Sequence, residues 1–214
     1  MRLPHSFKTA VAATAKSLNH SFKQIGAPHE GAGLVLSERN VLTHLGAHLL
    51  HAGFALAAEP HAGAKVQTPG LVASNHKISF ALTAHTFGKL RLEKILTEAQ
   101  ALRHYAPRAY PRLDLPNANA FWQDSEHWVA LFILSFAGEK FNELWCGQIA
   151  AVEAFEKNLR GFSSLGNAGK EDFSELASFL REHQAYVGME PICSELWHAG
   201  ERLDLLWVAF PLEG

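Results

Sequence analysis

Three histidines, His44, His48 and His51, stand in the run Leu-Thr-His-Leu-Gly-Ala-His-Leu-Leu-His. On a helix, a spacing of four and then three residues puts the imidazoles on one strip. Two neutral imidazoles a helical turn apart can chelate zinc, and a carboxylate can add a third ligand. Glu59 and His61 follow shortly after and could complete such a site. The residues between His44 and His48 are Leu45, Gly46 and Ala47, so the general-base glutamate of a His-Glu-x-x-His zinc helix is missing. The chain holds 13 histidines, enough for such spacings to arise by chance. The simpler reading is a polar edge on a packed helix with no cofactor. A zinc site on His44, His48, His51 and Glu59 is the alternative.

Other catalytic chemistry finds less support. No Gly-x-Ser-x-Gly turn offers a serine nucleophile, and no glycine-rich loop has the spacing that cradles phosphate. Cys146 lies between Trp145 and Gly147 in an expected strand, where a core thiol is the natural reading. Aromatic residues point toward binding instead. Phe121, Trp122 and Trp128 flank a polar stretch beside a proline-rich segment. Such rings combine large apolar area with a polar handle and are favoured at protein interfaces.

The elements that must position these groups follow from periodicity. Phe7, Val11, Ala15, Leu18 and Phe22 step by three or four, which predicts a helix after Pro4, capped by Ser6 and stopped at Gly26 and Pro28. A second helix is expected from Ser37, carrying Val41, Leu42, Leu45, Leu49 and Leu50 before Gly53 ends it. Residues 54–58 read as a short buried strand, and 60–70 as a loop. Ile78, Phe80 and Leu82 alternate with Ser79, Ala81 and Thr83, the period of a strand. Phe87-Gly88 would turn it back through Leu90 and Leu92. Thr97 and Gln100 suggest a capped helix to Tyr105, and Phe173, Leu176, Phe179, Leu180 and His183 another, ending at Gly188.

An internal echo links residues 137–145, Ala-Gly-Glu-Lys-Phe-Asn-Glu-Leu-Trp, to 199–207, Ala-Gly-Glu-Arg-Leu-Asp-Leu-Leu-Trp, with five of nine residues identical. Each copy reads as a tight turn at Ala-Gly-Glu and a returning strand. Duplication and convergent turn chemistry explain the echo equally well. The fold class expected is therefore α+β: a mainly antiparallel sheet of hairpins near 77–95, 127–149 and 192–210, with helices packed on it. A single domain over 1–214 is expected, the proline-rich 107–116 being the one point of subdivision. Residues 128–134 and 205–210 are apolar without alternation, so their strands should be covered on both faces. Helices on both sides would do this, or a second subunit, and hence a homodimer is expected.

Composition narrows the classes. Of 214 residues, 48% are apolar and 19% charged, which suits a folded core and excludes a disordered chain. No apolar run approaches the roughly 20 residues of a membrane helix. Net charge is −2, so no global field recommends nucleic acid as a partner. Two cysteines exclude a disulfide framework and fit a reducing, cytoplasmic setting. Residues 1–29 contain Arg2, Lys8, Lys16 and Lys23 but no acid. That is the composition of a mitochondrial transit peptide, or of a basic first helix lying on an acidic body, the simpler of the two.

The order helix, strand, hairpin, helix, strand over about residues 37–136 resembles the core of the PD-(D/E)XK nucleases. The resemblance implies a magnesium site built from an Asp on the second strand and a Glu-x-Lys on the third. In this chain the third-strand candidate is Glu93-Lys94-Ile95, with Ile at the Lys position, and residues 76–85 carry no acid. Glu38 and Glu59 match only in a general way, so the likeness implies at most an inactive relative. The reading as a whole leans away from an enzyme. It favours a protein-binding module of bacterial adaptor or immunity type, with a metal-dependent hydrolase on the histidine helix as the alternative.

Overall fold

Helix α1, His5–Ile25, begins directly after Pro4, whose carbonyl accepts the Lys8 amide at 3.3 Å. The pyrrolidine ring holds φ near the helical value, so the helix already starts at His5. Ser6 therefore lies inside the first turn, exposed, and is not the expected cap. This geometry comes from a computed structural model that describes residues 2–25, 38–58, 70–75, 77–87, 126–135, 178, 181–193 and 203–211. Phe7, Val11, Ala15 and Leu18 are all buried, as their spacing required. Helix α2, Glu38–His51, buries Val41, Leu45, Gly46 and Leu49. It stops where Gly53 takes a φ of 85°. There the Phe54 amide donates to the Leu49 carbonyl and the Gly53 amide to the Leu50 carbonyl, both at 3.0 Å. These bonds satisfy carbonyls that a helix end leaves open.

Among the described residues six strands follow: β1 (Ala55–Ala58), β2 (Leu71–Ser74), β3 (Ile78–Phe87), β4 (Glu126–Ser135), β5 (Tyr186–Cys193) and β6 (Leu203–Pro211). They form one sheet in the order β1-β2-β3-β4-β6-β5. Every neighbouring pair is antiparallel except β3 and β4, which run parallel. The α+β class with a mainly antiparallel sheet is what the strand patterns indicated.

The hairpins differ in detail. The antiparallel neighbour of β3 is β2, which precedes it through a turn where the Asn75 side chain accepts the Lys77 and Ile78 amides at 2.9 and 3.0 Å. β3 continues to Phe87, and the return expected at Leu90 and Leu92 lies outside the described residues. β4 cannot be the first limb of a hairpin over 127–149. Its two edges are taken by β3 and β6, leaving no hydrogen-bonding row for a returning strand. The third hairpin is present as β5 and β6, but it begins at Tyr186. Gly188 accordingly sits inside β5 and does not stop a helix; the helical residues before it end at Glu182, followed by Gln184 at a φ of 50°. Trp207 lies on the returning strand β6 as expected, while Gly138, Trp145 and Gly200 fall outside the described residues.

The core lies between the helices and one face of the sheet. Phe80 of β3, Trp128 and Phe132 of β4, and Leu205 and Trp207 of β6 join Phe7, Leu18, Leu45 and Leu49 there. Phe7 stacks on Phe80 with centroids 4.3 Å apart and meets Trp207 edge-on at 6.4 Å. Helix α1 is thus a core element, as a basic first helix lying on the body would be. Lys8 stands 5.4 Å over the Tyr186 ring of β5, within cation–π range.

The opposite face is just as deeply buried. Val129, Leu131 and Ile133 of β4, with Leu206, Val208 and Phe210 of β6, have no exposed surface within the single chain. Strands apolar on both faces are covered on both faces, and this removes the reason for invoking a second subunit to close the sheet. The proline-rich 107–116 lies outside the described residues. Among those residues, no helix is long and apolar enough to cross a membrane.

Candidate functional site

α2 places the histidine strip where the sequence put it, and packing then divides the strip. Val41, Leu45 and Leu49 anchor one face of the helix in the core, which turns His44 and His48 toward its margin, both half-buried. The Nε2 of His48 lies 2.8 Å from the Ser17 hydroxyl of α1. Ser17 is one residue from the buried Leu18, so the register of the α1 core face delivers its hydroxyl to the seam. Burial, and secondarily the nearby His48 ring, push the His44 imidazole below its ordinary pKa. His44 is therefore neutral at physiological pH, and a neutral imidazole has one ring nitrogen able to accept.

His51 goes elsewhere. It is exposed, and its Nδ1 lies 2.8 Å from the Ala47 carbonyl one turn back on the same helix. Since a carbonyl can only accept, Nδ1 donates and carries the proton. The expected three-histidine strip is thus a half-buried pair, His44 and His48, of which His48 meets α1, and one exposed ring folded back onto its own helix. Glu59 and His61 lie outside the described residues. Among the described residues, no three His, Cys, Asp or Glu side chains gather closely enough to hold a metal ion.

The aromatic site is corrected in part. Trp128 is fully buried, 6.3 Å from the Phe80 ring and 5.9 Å from that of Tyr186, so it presents no surface to a partner. Its place on a central strand with both edges paired is the reason. Phe121 and Trp122 lie outside the described residues. The strand that would carry the nuclease Asp, β3, reads Ile-Ser-Phe-Ala-Leu-Thr-Ala-His-Thr-Phe and holds no acid. Glu38 stands exposed at the start of α2, and Glu93-Lys94-Ile95 lies outside the described residues.

Two groupings escaped the sequence reading. On the face of the sheet away from the helices, Ser74, Ser79 and His127 share one row across β2, β3 and β4. The hydroxyls of Ser74 and Ser79 meet at 2.7 Å, a buried polar pair, and the Ser74 hydroxyl also lies 3.3 Å from the Asn75 carbonyl. On the helix side, Glu190 of β5 is half-buried beneath α1. Burial pushes its carboxyl up, while the Trp207 indole and the Lys16 ammonium pull the other way. Trp207 reaches this place only because Gly188, its neighbour across the β5–β6 ladder, has no side chain. A Cβ there would stand 2.2 Å from Cε2 of the indole. A paired polar residue could have been suspected from the isolated serines, but the partner of each is set by strand register. Compared with protein-family models, with curated proteins and with solved structures, the chain matches none.

Proposed function

We propose that this chain is a non-enzymatic protein-binding module of adaptor or immunity type, working in a reducing, cytoplasmic setting. The outer face of α2 carries the reading. Thr43, Ala47 and Leu50 are exposed at a spacing of four and three, a second strip on a helix whose first strip is already in the core. Leu50 is 55% exposed, the one large apolar side chain so placed among the described residues. Arg39 and His51 border it and supply the polar rim. A strip of this spacing is what a partner groove reads when a helix docks into it. Neutral and apolar, it suits a protein partner better than a polyanion.

Burying an exposed Leu contributes about 1–2 kcal/mol, or roughly a tenfold change in affinity. The test is affinity capture with the wild-type chain, purification of the partner, and measurement of the dissociation constant with Leu50→Asp and Ala47→Asp. Loss of about tenfold or more in both variants supports the reading. Unchanged binding by both would overturn it. A second copy of the chain is the other occupant this face could take, in an isologous contact. Light scattering at high concentration separates the two, since only self-association abolished by Leu50→Asp assigns the face to a homodimer.

A further inference from the structure

His44 and His48 are the only pair of the three-histidine run that the fold brings to one side of α2. A separation of four residues stacks the two rings one turn apart, within reach of a single ion. Both rings are half-buried on α2, and the Nε2 of His48 lies 2.8 Å from the Ser17 hydroxyl of α1. We propose that His44 and His48 form a two-imidazole site for a borderline divalent transition metal, Zn²⁺ or Cu²⁺, at the seam between α1 and α2. Water would fill the remaining positions. An entering ion would displace the Ser17 hydroxyl from the His48 nitrogen.

Two observations support the assignment. The Ser17 contact shows that a ring nitrogen of His48 is turned to the seam between the helices, where an entering ion would compete for it. His51, by contrast, is exposed and has turned its Nδ1 to the Ala47 carbonyl, so it stays out of the site. The affinity order for nitrogen ligands puts Cu²⁺ above Zn²⁺, which makes Cu²⁺ the sharper probe. This site uses other residues than the outer face of α2, so the two proposals stand or fall separately.

The experiment is titration of the tag-free full chain with Cu²⁺, followed by electron paramagnetic resonance, and with Zn²⁺ by calorimetry. One equivalent should bind, with splitting from two imidazole nitrogens. His44→Gln and His48→Gln should each weaken binding by about tenfold or more, and His20→Gln and His51→Gln by less than about twofold. Ser17→Ala, which removes the competing hydroxyl, should tighten it. Circular dichroism checks that each variant is folded; should His48→Gln fail, His44→Gln decides alone. No saturable equivalent, binding that survives His44→Gln, or an equal loss in His51→Gln would overturn the proposal.

Discussion

Half-burial withholds from the His44 imidazole part of the hydration that its protonated form needs, and the nearby His48 ring opposes the added charge as well. Its pKa in the fold therefore lies below the ordinary 6.5 that it has in the unfolded chain. The unfolded state then binds the proton more readily, so stability rises with pH across this window. The contribution is complete above pH 6.5 and is lost as pH falls from there through the folded value. His44→Gln should consequently flatten the fall in melting temperature between about pH 7 and pH 5, compared with the wild type. Identical profiles for the two proteins would show that His44 is not desolvated. At this scale the strip was legible, because helical spacing alone aligns residues 44 and 48. The Ser17 contact was not, since its partner lies 31 residues away and only the packing of α1 on α2 joins them.

Within the elements, glycines show how one residue type carries opposite meanings. Gly53 ends α2 at a φ of 85°, and a Cβ added there would meet nothing within 4 Å. Gly53→Ala should therefore cost about 1 kcal/mol, from backbone strain alone. Gly188 has no such φ, yet its hydrogen faces the Trp207 indole across the ladder. Gly188→Ala must displace that ring from its place beside Phe7, and about 1–3 kcal/mol of destabilisation is expected from overpacking. Chemical denaturation of the two variants measures both, and a smaller loss at Gly188 than at Gly53 would contradict the close approach. The helix stop expected at Gly188 fails because the same residue type serves both ends. A glycine after an amphipathic run signals a stop, but residues 186–193 pair with β6, and that partner decides the element. β2 escapes the sequence reading because four residues are too few to establish a period, and its strand character comes from its pairing with β1 and β3.

Across the whole molecule, Phe7 ties the first helix to strands far along the chain, touching Phe80, Phe132 and Trp207. Phe7→Ala should cost about 3–5 kcal/mol, a large part of the stability of an ordinary domain, and thermal melting will register it. A detachable leader would leave the melt unchanged, which is the result that would remove α1 from the core. The amino-acid sequence by itself determined α1 and α2 nearly to the residue, the α+β class, and the double coverage of β4 and β6. All of these rest on local periodicity, which the chain carries without reference to distant residues. Only the tertiary structure decided that β3 and β4 run parallel, that β4 has no free edge for a hairpin, and that Trp128 is core and not a contact surface. Strand order is a choice among competing long-range pairings, and apolar strands offer similar patterns to every neighbour. The energy that selects one pairing comes from side chains packing across the sheet, and that exists only once the chain has folded.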